Sequence, residues 1–169
     1  MSILTDESGV EGIPLKLIIV LVIVAITVPV AWKGLESYDR TQTETNLVME
    51  IDFLAANIRQ VYLNGMGNAR DVDVDFSDGF VTSVERIEIG DSEEGVWSTI
   101  RYKLAHKNSQ YVLIKNPNIP ITHVNEEDIG PLVVGSGRHT IHLETKKGYD
   151  FDSDGTEDLF VEVSRVAEA

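Results

Sequence analysis

The order of apolar and polar positions divides the chain into three stretches with different periods. From Leu17 to Trp32 it reads LIIVLVIVAITVPVAW, with no charged residue in 16 positions. Ile13 to Trp32 makes 20 residues, interrupted only by Pro14 and Lys16 near the start and by Pro29. A helix of that length rises about 30 Å, the thickness of a hydrocarbon core. A core helix of a soluble domain keeps a polar side for water, and this stretch has none. A cleaved secretory signal would want a basic start and a small-residue exit. Here the leader MSILTDESGVEG carries Asp6, Glu7 and Glu11, and the exit is Val28-Pro29-Val30-Ala31-Trp32. The pattern therefore predicts a retained single span.

Beyond Gly34 the residues are helix formers without proline. Leu47, Ile51, Leu54, Ile58 and Val61 recur at spacings of 4, 3, 4 and 3, one apolar stripe along a helix. Glu44, Glu50, Asp52, Asn57, Arg59 and Gln60 fill much of the rest, and Asn64-Gly65 is a stop signal. The expectation is one helix from about Leu15 to Leu63, roughly 75 Å long, apolar all round in its first half and amphipathic in its second. Pro29 removes one of its hydrogen bonds.

From Arg70 the period becomes two. Val72, Val74 and Phe76 alternate with Asp71, Asp73 and Asp75, which places the three acids on a solvated strand face. Further strands are expected at Phe80 to Ile89, Val96 to Leu104, Tyr111 to Lys115, Pro131 to Val134, Arg138 to Thr145 and Leu159 to Val166. Asn116 to Pro120 reads as a loop and Gly135-Ser136-Gly137 as a hairpin turn. The fold class is α+β: a long N-terminal helix, membrane-spanning then amphipathic, packed on an antiparallel sheet or sandwich. The expected divisions are residues 1–12 as a leader, 13–32 as the span, 33–64 as the amphipathic continuation and 70–169 as the β-rich domain.

Charge and composition narrow the function. There are 28 acidic against 14 basic residues, a formal charge of −14, which argues against a nucleic-acid surface. The absence of cysteine removes disulfides, thiolate metal sites and thiol catalysis. No Ser/His/Asp set stands out, and His139 and His142 fall on opposite faces of their strand, so the expectation is a protein that is not an enzyme. The sharpest chemical motif is Asp150-Phe151-Asp152-Ser153-Asp154-Gly155-Thr156-Glu157-Asp158. Asp150, Asp152 and Asp154 occupy loop positions 1, 3 and 5 and Gly155 position 6; Thr156 offers a carbonyl at 7 and Asp158 a carboxylate at 9. Calcium takes six to eight oxygens, and this spacing wraps them round one point. Val161 stands where an EF-hand has its Glu, and the flanks read as strands, so a calcium loop on a β-hairpin is expected. The alternative is an acidic solvated turn.

The segment Asp6-Glu7-Ser8-Gly9-Val10-Glu11-Gly12-Ile13-Pro14-Leu15, followed by the apolar run and the amphipathic helix, resembles archaeal pilins with class III signal peptides, in the type IV pilin superfamily. The resemblance implies cleavage by a prepilin peptidase between Gly9 and Val10. It implies a helix that sits in membrane lipid before assembly and among like subunits in a helical filament afterwards, with the β-domain extracellular and an assembly machinery as partner. Pro14 stands at the fifth mature position, where the family often has an acid. The other expectation the residues support is a single-pass anchor carrying a calcium-braced β-domain that binds a surface ligand.

Overall fold

The computed structural model describes residues 8–91, 97–105, 107–114, 117–125, 128–151 and 154–166. Helix α1, Ser8–Leu63, runs unbroken through Pro14 and Pro29 and begins seven residues before the expected Leu15. The chain divides into two units between Tyr38 and Asp39, within this helix.

In the larger unit the apolar stripe has its expected role. Leu47, Ile51, Leu54, Ile58 and Val61 are all buried, and they share one core with both sheets. The helix ends where Asn64 and Gly65 donate their N–H groups to the carbonyls of Gln60 and Tyr62. Its last turn is pinned to the sheet by Thr145, whose hydroxyl donates to the Val61 carbonyl at 2.9 Å.

Nine strands follow: β1 Ala69–Phe76, β2 Val84–Ile89, β3 Thr99–Leu104, β4 Gln110–Leu113, β5 Ile121–Asn125, β6 Asp128–Gly130, β7 Leu132–Val134, β8 Gly137–Tyr149 and β9 Asp158–Arg165. They form a five-stranded sheet in the order β1-β8-β9-β5-β6 and a four-stranded sheet in the order β4-β3-β2-β7. The α+β class holds. One sheet is mixed, because β5 pairs with β9 in parallel, Ile121 facing Val161. Every other pairing is antiparallel.

Three expectations change. The strand beginning at Phe80 starts at Val84, because the backbone of residues 80–82 bonds to a helix side chain instead of a neighbouring strand. Gly135-Ser136-Gly137 does not close a hairpin: β7 pairs with β2 and β8 with β1 and β9, so this link carries the chain from one sheet to the other. The stretch from Ile121 to Gly130, which carries no clear alternation, forms β5 and β6. On β1 the period-two reading stands. Val72, Val74 and Phe76 are buried, while the Asp71 carboxylate meets His142 at 2.6 Å, Asp73 accepts the Thr140 hydroxyl at 2.7 Å and Asp75 pairs with Arg138 at 3.1 Å.

Candidate functional site

The first candidate is the apolar half of α1. Every large apolar side chain from Leu15 to Trp32 is exposed, and the most apolar window has no residue covered by protein. The one helix long and apolar enough to cross a membrane among the described residues is this one, near the N-terminus. Its interior polar side chain, Thr27, donates to the Ile23 carbonyl one turn back at 2.9 Å, so its hydroxyl needs no solvent. Gly9 and Val10, the expected cleavage pair, fall in the first turns of the same helix.

The second half of the helix also carries three apolar side chains away from its buried stripe. Opposite the buried stripe, Met49, Phe53 and Leu63 are exposed. At 100° per residue these three lie within about 80° of one another, roughly half a turn from Ile51. The heptad pattern did not single them out, because Glu50, Asp52, Asn57 and Gln60 stand among them.

The second candidate is the acidic loop between β8 and β9. These strands pair antiparallel up to Tyr149 and Asp158, so the loop does cap a β-hairpin. Asp150 accepts the N–H groups of Asp154 at 3.1 Å and Gly155 at 2.8 Å. Asp154 accepts the N–H of Thr156 at 2.7 Å and its hydroxyl at 2.5 Å. Asp158 accepts the Phe151 N–H at 2.9 Å. Gly155 has φ +87°, a conformation that a side chain disfavours, at the position where the motif requires a sharp turn. Asp152 lies outside the described residues. No group of three or more potential metal-ligating side chains converges among the described residues. The loop stands on a small aromatic core of its own, in which Trp97, Tyr149, Phe151 and Phe160 meet edge to face or tilted at centroid distances of 5.4 to 6.1 Å.

Asp39 is a polar anchor that no sequence pattern pointed to. Its carboxylate accepts three consecutive backbone N–H groups, from Phe80 at 2.7 Å, Val81 at 3.0 Å and Thr82 at 2.9 Å. These bonds, that from Val81 foremost, hold the carboxyl below its ordinary value of 3.8. The partners lie more than forty residues away in the sequence, so no local spacing announces them. Gly79 lets the loop lie this close: a Cβ there would overlap the Thr43 hydroxyl and lie 2.8 Å from both Asp39 oxygens. Nearby, Asp78 accepts the Val84 N–H at 2.7 Å. The Asp75 carboxyl is also lowered, first by the Ser77 hydroxyl and then by Arg138.

A cavity of about 490 Å³ lies along β1, lined by Glu50, Asp73, Asp75, Arg138, His139 and Thr140 among others. Asp73 and Asp75 are engaged with Thr140 and Arg138, and Glu50 accepts the Asp75 N–H at 3.3 Å. His139 and His142 do fall on opposite faces of β8, buried and half-buried respectively.

Comparison with protein-family models, with curated proteins and with solved structures finds no match to this chain.

Proposed function

We propose that this chain is a pilin-like structural subunit, held in a membrane by α1 before assembly and packed among identical helices in a filament afterwards, with its β-domain outside the cell. The observation that carries this reading is the uncovered apolar surface from Leu15 to Trp32. Burying a Leu, Ile or Val side chain is worth about 1.5 kcal/mol or more. Summed over this segment the cost of exposure reaches tens of kcal/mol, more than the roughly 5–15 kcal/mol that holds a domain together. The surface therefore needs lipid or other helices of the same kind. Farther along the same helix Met49 and Phe53 are also exposed, and in a filament they would be available to neighbouring subunits.

The test is co-expression with a prepilin peptidase. Cleavage after Gly9 shortens the chain by nine residues, read by intact mass. With the assembly machinery present, electron microscopy then shows filaments. An unshifted mass and a protein that stays in the membrane fraction would overturn this reading.

That outcome would favour the second one, a permanently anchored β-domain with calcium bracing the loop at Asp150, Asp152, Asp154, Thr156 and Asp158. Its specific support is the hairpin setting of the loop and the positive φ at Gly155.

A further inference from the structure

Outside the apolar span, the most exposed large apolar side chain among the described residues is Phe80, at 84%, with Val81 next to it at 42%. An aromatic residue at a loop tip costs little when the tip is free to fold it away. This tip is fixed. The N–H groups of residues 80, 81 and 82 are held by the Asp39 carboxylate, Gly79 donates to the Thr82 carbonyl at 2.7 Å, and Gly79 itself abuts Thr43. The backbone is thus organised to present Phe80 outward.

The anchoring residue also limits where the tip can be. Asp39 follows Trp32, the last residue of the apolar run, by seven positions. Seven residues span at most about 25 Å whatever path they take. Tyr111 on β4 is exposed as well, but the carboxylate of Asp39 is bonded to residues 80–82 and not to that strand.

We infer that Phe80 and Val81 form a second membrane contact, inserting into the interfacial layer of the bilayer that α1 crosses. The inference rests on the membrane reading above. Interfaces favour aromatic side chains, and a pre-ordered loop loses little entropy on docking. The lipid is one with neutral headgroups. Asp39 and Asp78 flank the tip, and anionic headgroups would be repelled by them in a chain of net charge −14.

The absence of native cysteine permits a clean experiment. A nitroxide is attached to the full-length Val81→Cys protein, one copy per nanodisc of phosphatidylcholine, with Val24→Cys and Tyr111→Cys as references. Collisions with oxygen, which concentrates in lipid, are compared with collisions with a water-soluble nickel complex. The label at 81 is expected to favour oxygen several-fold more than the label at 111, and adding Phe80→Ser is expected to abolish that difference. In discs of anionic lipid the difference should shrink. If the label at 24 lies in lipid while that at 81 behaves like 111, the loop contact is wrong and the membrane reading survives. If the label at 24 is water-exposed, both fail. If 81 is shielded only in discs holding several copies, another subunit covers the tip and the lipid contact is overturned.

Discussion

Two halves of one helix solve opposite problems. From Leu15 to Trp32, α1 shows large apolar side chains on every side and the protein covers none of them; from Leu47, a single stripe is buried against two sheets. On the membrane reading the first half draws its stability from what surrounds it, since its hydrogen bonds are internal and its surface calls for a non-aqueous solvent. The second half is stable because the chain brings its own cover. The difference teaches that one continuous helix can carry both a fully uncovered apolar surface and a core element, and that burial tells them apart where helix propensity cannot.

A reciprocal pair of substitutions tests that division and carries the largest effects. Leu54, fully buried in the core, is expected to cost about 2–5 kcal/mol when replaced by Ala. Ile23→Arg, in the uncovered half, is expected to cost about 3 kcal/mol of membrane insertion. Urea unfolding in detergent, followed by near-ultraviolet circular dichroism, reads the first; resistance to carbonate extraction reads the second. Leu54→Ala should leave the protein in the membrane fraction, and Ile23→Arg should leave the unfolding midpoint of the β-domain unchanged. If either substitution moves both readouts, the two halves do not differ in the way their burial says.

A smaller effect is expected at Asp39, where the covered half begins. Its folded-state carboxyl lies below the ordinary value of 3.8, so its contribution is fully present above that value and is lost as pH falls through the lower folded one. Asp39→Asn should lower the urea midpoint at pH 7 by less than Leu54→Ala does. Wild type and variant should converge in strongly acid solution, where the wild-type carboxyl is protonated. The lowered carboxyl of Asp75 acts with the same sign in both proteins and so drops out of the comparison. A difference between them that persists unchanged at pH 2 would show that Asp39 acts through packing alone.

What could be read in advance follows from the range of the interaction. The apolar helix needed only a run of side chains, and the stripe from Leu47 to Val61 only a spacing; both are local, and the structure has a helix long and apolar enough to cross a membrane and a buried stripe where they were expected. The alternation of Val72, Val74 and Phe76 located β1 for the same reason. Pairing is non-local, and there the sequence was silent or misleading. Gly135 to Gly137 has hairpin chemistry yet links two sheets, and Ile121 pairs in parallel with Val161, forty residues on. The loop at Phe80 looked like the start of a strand because its residues favour one. The carboxylate that holds it out of the sheet comes from the helix, and that could be seen only once the chain was folded.

The smallest expected effect concerns the acidic hairpin, a part of the covered unit that leans on its own aromatic core. Asp150, Asp154 and Asp158 each accept at least one backbone N–H, so these three carboxylates have partners within the protein. Each carboxylate oxygen has a second lone pair, however, and the Gly155 conformation folds the segment back on itself. If calcium occupies those lone pairs with the 10⁻⁴–10⁻³ M affinity typical of extracellular modules, 1 mM calcium adds about 0.4–1.4 kcal/mol. For a domain of this size that is a rise of roughly 1–6 °C in Tm. The full-length protein in detergent should show this rise with calcium and lose it with chelator. Asp152→Asn combined with Asp154→Asn should erase the response while leaving the calcium-free Tm close to that of the parent. No response in the parent would make the hydrogen bonds alone sufficient, and the loop a self-capped acidic turn. A response that survives the double substitution would place the ion elsewhere. In either case the large apolar side chains from Leu15 to Trp32 are expected to stay as they are, since the protein covers none of them.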